Sequence, residues 1–142
     1  MKQKFIDAHM QAAEVYAKLS SARRLQVGCV IVKENTIIGI GYNGMPSGWD
    51  NDCEYADYYE DGDFVIKSKP EVLHAETNAV AKVARSTNST ENADLFVTHA
   101  PCLDCAKLIF QSGIGRVFYR DTYRSEDGIN FLRQCNVEVN RV

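Results

Sequence analysis

Four side chains in this sequence have the types and spacing of a hydrolytic metal site. His74-Ala75-Glu76 opens one predicted helix, and Pro101-Cys102-Leu103-Asp104-Cys105 opens the next. Cys102 and Cys105 stand three apart on one helix face, so both sulfurs reach a single ion. A helix N-terminus favours negative charge and helps keep two thiols deprotonated. His74 supplies a third ligand as a neutral imidazole. Three protein ligands leave one tetrahedral position open, the arrangement of a catalytic zinc. Glu76 lies two residues from His74, about 200° around a regular helix. The two face one point only if His74 caps the helix with extended backbone. Placed so, Glu76 is the acid–base group: zinc lowers the pKa of its water toward ~7, Glu76 accepts a proton, and hydroxide attacks an electrophilic ring carbon. Two other readings stay open on these residues alone. Cys102/Cys105 suits a redox pair, and the cluster suits a structural zinc site if Cys53 or His99 closes it.

The elements that must carry these residues follow from periodicity. Residues 4–19 space Phe5, Ile6, Met10, Ala13, Tyr16 and Ala17 as an amphipathic helix. Val27 to Val32 and Thr36 to Ile40 are β-branched runs around Lys33-Glu34-Asn35, a hairpin. Residues 41–70 are rich in Gly, Asp, Asn, Tyr and Pro without a sustained period, and read as a long loop. A helix is predicted over 73–85, a polar connector over 86–92, a strand over 95–97 and a helix over 102–111, stopped at Ser112-Gly113. A strand at 117–119, a helix at 126–135 and a closing strand at 137–139 complete the chain. This alternation with short links predicts an α/β sandwich whose later strands are parallel. No repeat or boundary interrupts it, so residues 1–142 read as one domain.

Composition bounds the partners. The chain has 142 residues, 45% of them hydrophobic and 25% charged, with a net charge of −3. No basic stripe marks a nucleic-acid or anionic-membrane surface. No apolar run reaches the length of a membrane span. Residues 1–19 lack the apolar stretch of a signal peptide, so a cytoplasmic setting is expected. Five cysteines, an odd number, sit at 29, 53, 102, 105 and 135, which does not suit a disulfide scaffold. Cys29 and Cys135 read as small core residues, and Cys53 as a free thiol or an extra metal ligand. Asn88-Ser89-Thr90 fits a glycosylation pattern but reads as an ordinary loop outside a secretory route. His99 reads as a strand-end filler and His9 as a helix residue of no catalytic consequence. Gly39-Ile40-Gly41-Tyr42-Asn43-Gly44 satisfies G-x-G-x-x-G, yet Met45-Pro46-Ser47-Gly48 cannot start the helix that a dinucleotide site requires.

The two half-motifs, in this order, match the H-x-E…P-C-x-x-C pattern of zinc deaminases. The chain resembles the cytidine deaminase-like superfamily, and within it the deoxycytidylate deaminases, over nearly its whole length. The resemblance rests on Arg24-Leu25-Gln26-Val27-Gly28, Gly41-Tyr42-Asn43-Gly44-Met45-Pro46-Ser47-Gly48 and His74-Ala75-Glu76-Thr77-Asn78-Ala79. Pro101-Cys102-Leu103-Asp104-Cys105-Ala106-Lys107 and Gln111-Ser112-Gly113-Ile114 extend it. The Gly-Tyr-Asn-Gly-x-Pro-x-Gly loop discriminates most, because plain cytidine and tRNA-editing deaminases lack it. The resemblance implies a three-layer α/β/α sandwich on a five-stranded mixed sheet. It implies hydrolysis of dCMP to dUMP and ammonia, feeding thymidylate synthesis, with Zn²⁺ on His74, Cys102 and Cys105 and Glu76 as catalyst. It places Asn43, Arg24 and Tyr123 near the nucleotide, and backbone atoms of Ala75 and Ala100 on the pyrimidine edge. It puts Gly44, Met45, Pro46, Ser47 and Gly48 in a regulatory site where dCTP activates and dTTP inhibits. Mg²⁺ accompanies the triphosphate there, across contacts of a homo-oligomer such as a hexamer. The rivals are a deaminase of another cytosine or purine base, and a non-catalytic zinc protein that senses nucleotides.

Overall fold

The computed structural model describes residues 1–142. Strand β1 (Gly28–Lys33) and strand β2 (Thr36–Tyr42) pair antiparallel. Glu34 and Asn35 between them both take positive φ, the left-handed pair whose twist suits a two-residue hairpin. On its other side β1 pairs antiparallel with β5, formed by Asp94–His99. β5 then pairs parallel with β6 (Arg116–Asp121), and β6 parallel with β7 (Glu138–Arg141). The sheet order is β2-β1-β5-β6-β7. It is mixed, with its later strands parallel as the alternating pattern predicts.

Alternate residues on a strand face opposite sides, and both sides are covered here. Helix α1 (Gln3–Ala17) packs Met10 and Ala13 onto Val30, Val32, Phe96 and Phe118. The opposite face carries Cys29, Ile31, Leu95, Val97, Val117 and Tyr119. Helices α2 (Ala75–Ala84), α3 (Leu103–Gln111) and α4 (Asp127–Gln134) cover it with Ala79, Val83, Ile109 and Leu132. The architecture is a three-layer α/β/α sandwich. Burial on both faces explains the continuous apolar texture of β1 and β5.

Residues 41–70 depart from the long loop read in the sequence. They contain a second sheet, the hairpin of β3 (Glu54–Tyr58) and β4 (Phe64–Ser68). Tyr55, Tyr58, Phe64 and Val65 are exposed, so no apolar–polar alternation marks these strands. α2 also begins later than expected. Leu73 exchanges backbone hydrogen bonds with Gly44 at 2.8 and 3.0 Å, and His74 stays extended. α3 likewise begins at Leu103, leaving Cys102 as its cap.

Glycines set how closely the helices approach. A Cβ on Gly128 would strike the carbonyl oxygen of Pro101, and one on Gly41 would strike that of Ala75. Gly41→Ala must therefore push β2 off α2. We expect a loss of about 2 kcal/mol or more from such overpacking, read as a fall in Tm of roughly 4–8 °C. An unchanged melting curve would show that the contact is soft.

Candidate active site

Two helix N-termini converge on the face of the sheet that α2 and α3 cover. His74 caps α2 with φ −77° and ψ 154°. Cys102 caps α3 with φ −68° and ψ 168°, and Cys105 lies in its first turn. Cap positions normally carry Ser, Thr, Asp or Asn, whose side chain returns to a backbone N–H. Neither cap makes such a bond here. The imidazole and the thiol turn toward each other instead.

His74 Nδ1 lies 3.6 Å from Cys102 Sγ and 3.3 Å from Cys105 Sγ. All three donor atoms lie within 4.8 Å of one another. Around a tetrahedral zinc, with Zn–S about 2.3 Å and Zn–N about 2.0 Å, donors stand about 3.5–3.8 Å apart. The two edges from His74, 3.6 and 3.3 Å, lie close to those spacings. The electrostatics agree. Hydrogen bonds from Cys105 and then His74 pull the Cys102 thiol down to about 4. The same contact with Cys102, followed by burial, pushes Cys105 up. Hydrogen bonding to Cys102 holds His74 above its ordinary value. Three donors that crowd and share protons in this way are relieved by a soft cation.

Glu76, in the first turn of α2, is 5% exposed. Burial pushes its carboxyl up from 4.5 to about 7, against smaller pulls from its own backbone amide and from His74. Cys53 and His99 lie outside the donor cluster. Cys53 Sγ rests 3.5 Å from Ser21 Oγ. His99 Nδ1 sits 3.0 Å from Thr98 Oγ1, and its Nε2 is 3.6 Å from Asp121. Neither residue makes a fourth ligand.

A cleft of 580 Å³ opens onto this cluster. His74, Glu76 and Cys102 line it, and so do Arg24, Asn43, Ala75, Ala100 and Tyr123. Lys69, His99 and Arg124 also line it. Sequence reasoning missed Lys69 and Arg124 as site residues; Arg124 carried one signal, its place beside Tyr123. Asn43 is already engaged: its Oδ1 accepts the Val27 N–H at 2.9 Å, and its Nδ2 donates to the Leu25 carbonyl at 2.8 Å. Residues 44–48 do not line the cleft. They form a separate turn in which Trp49 N–H donates to Pro46 O at 3.0 Å and Gly48 takes φ 87°. No helix follows this turn before α2, so the G-x-G-x-x-G segment lacks its dinucleotide context.

Donor triangle, buried glutamate and sandwich together define a zinc deaminase. Residues 3–121 match the family described as the cytidine and deoxycytidylate deaminase zinc-binding region, and the chain belongs to that family. The deoxycytidylate deaminase of Enterobacteria phage T4 is 34% identical over 167 residues, covering 92% of this chain and 86% of that one. The human deoxycytidylate deaminase is 37% identical over 121 residues, covering 83% of this chain and 66% of that one. The crystal structure of a dCMP deaminase from cyanophage S-TIM5, in complex with dCMP and dUMP, superposes with a TM-score of 0.90. It is 43% identical and covers 100% of this chain and 99% of that one.

Proposed function

We propose that this deaminase converts dCMP and water to dUMP and ammonia as a one-domain protomer. One observation carries the reading. The same cleft is lined by His74 and Cys102 of the donor cluster, by the buried Glu76 and by three cationic side chains, Arg24, Lys69 and Arg124. Its volume suits a small ligand, and cations near the cluster suit a monophosphate. The likeness to a relative whose crystals hold dCMP and dUMP supports the choice of base and sugar.

His74, Cys102 and Cys105 would hold Zn²⁺, which when bound would supply Lewis acidity and bring the pKa of water toward ~7. Glu76, poised near neutrality, accepts the proton of the attacking water. It delivers that proton to the ring nitrogen, then takes the proton of the newly added hydroxyl as the carbonyl forms and passes it to the departing amine, which leaves as ammonia. The Ala75 N–H belongs to the first turn of α2 and has no intrahelical acceptor, so it is free to donate to the pyrimidine carbonyl. The Ala100 N–H is taken by the Asp121 carbonyl at 2.8 Å, leaving the Ala100 carbonyl to accept from the exocyclic amine. Asn43 keeps one N–H beyond its bond to Leu25, enough for a sugar hydroxyl. Tyr123 and the three cations face the phosphate.

Regulation belongs to the same proposal. The turn formed by Gly44, Met45, Pro46, Ser47 and Gly48 lies outside the cleft, where a second nucleotide does not compete with substrate. There dCTP would activate and dTTP inhibit, each with Mg²⁺ on its triphosphate, between subunits of a cytoplasmic homo-oligomer supplying thymidylate synthesis. Ammonia release from dCMP, CMP, cytidine and deoxycytidine, measured side by side with and without dCTP and dTTP, tests all of it. We expect kcat/KM for dCMP to exceed that for deoxycytidine by about 10–100-fold, the worth of charged phosphate contacts. Equal turnover of the two would remove the phosphate from the assignment. A flat response to both triphosphates would remove the regulation.

A further inference from the structure

Residues 20–27, between α1 and β1, have no regular secondary structure, yet Arg24 lines the cleft. Irregular backbone does not by itself hold a long cationic side chain in one place, because each free residue spreads over several conformations. Something else must fix it. Asn43 ties the far end of the segment through its bonds to Leu25 and Val27. The anchor at Arg24 itself comes from the hairpin that the sequence hides.

Glu54, the first residue of β3, has a side chain only 1% exposed. Its Oε2 accepts the N–H of Arg23 at 3.0 Å and the N–H of Arg24 at 3.2 Å. Its Oε1 takes Arg23 Nε at 3.4 Å. A carboxylate buried this deeply is costly without partners, and two consecutive backbone amides serve that purpose. The last residue of β4 holds the other end: Arg24 Nη1 donates to Ser68 Oγ at 3.3 Å. The hairpin thus grips Arg24 by its main chain and by its guanidinium. Glu54 is not among the residues that line the cleft, so it acts on substrate only indirectly, and of the two residues its side chain holds, Arg24 is the one that lines the cleft.

We infer that Glu54 is a positioning residue that fixes Arg24 for the phosphate of a nucleotide, which makes the β3–β4 hairpin part of the specificity apparatus. This inference rests on the dCMP reading above. Its test uses zinc-loaded wild type, Arg24→Ala, Glu54→Gln and the double variant, with kcat and KM measured for dCMP. Arg24→Ala should raise KM about 10–100-fold, the loss of a charged hydrogen bond, with kcat nearly kept. Glu54→Gln keeps the shape and one acceptor oxygen but loses the negative charge that strengthens the bonds to both amides, and should raise KM about tenfold. The double variant should match Arg24→Ala alone, because the two changes act on one contact. Multiplying effects, a loss in kcat instead of KM, or wild-type kinetics for Glu54→Gln would overturn the inference. If the glutamine variant does not fold, Glu54→Asp, too short to reach both amides, is judged by the same criteria. Wild-type turnover of dCMP, measured first, separates failure of the substrate reading from failure of Glu54.

Discussion

Glu76→Gln is expected to lower kcat for ammonia release by about 10²–10⁴-fold, the usual worth of a positioned acid–base group, while zinc content stays at the wild-type level. The amide fills the same buried volume but cannot carry a proton from water to a ring nitrogen. The carboxyl's environment suits that task. Burial pushes it up from the ordinary carboxylate range, the direction that suits a group which must both take a proton and give it back near neutral pH. It is also not one of the three metal-donating side chains, so its loss leaves the ion's ligands in place. Metal analysis and steady-state kinetics on the same preparation separate the two properties. KM should change little, because the proton transfers belong to the transition state and not to ground-state binding. Turnover within tenfold of wild type, on a metal-loaded protein, would take Glu76 out of the chemistry.

How much of this was legible before the structure follows from which forces act locally. The donor set was readable because its geometry is local: His74 and Cys102 each start a helix, and Cys105 follows Cys102 by one turn. The 200° conflict between His74 and Glu76 also resolves locally, since His74 is extended at the cap. The parallel later strands were readable from the alternation of helices and strands and the three layers from the family resemblance, while the buried faces of β1 and β5 fit their apolar middles. The hairpin was not. Its strands expose aromatic residues and bury a glutamate, the reverse of the pattern that marks a half-buried sheet. Glu54 is buried because backbone amides 30 and 31 residues earlier in the chain receive it, and no local window contains that fact. Lys69 and Arg124 reach the cleft for the same reason, through tertiary proximity without a motif.

Cys102→Ser is expected to abolish stoichiometric zinc and turnover together, and to make the protein insensitive to chelators. A hydroxyl at this cap is the residue type a helix N-terminus prefers, so the apo protein should fold at least as well as apo wild type. That asymmetry makes the test informative. In wild type, zinc binds the folded chain and stabilises it by mass action, about 4 kcal/mol when free zinc is a thousand times its Kd. EDTA should therefore lower the wild-type Tm by roughly 10 °C, at 2–4 °C per kcal/mol for a chain of this size. The Cys102→Ser variant should melt at one temperature with or without chelator, near that of stripped wild type. The helix N-termini explain why. His74 and Cys102 occupy the two caps, and neither turns back to bond its own helix. The fold forgoes capping energy at both sites, about 1 kcal/mol each by the usual cost of an absent cap, and an ion bound between them would recover it. A variant that still holds one zinc per chain, or a wild type whose Tm ignores EDTA, would mean that the donor triangle does not bind the metal and that the chemistry assigned to Glu76 has no ion beside it.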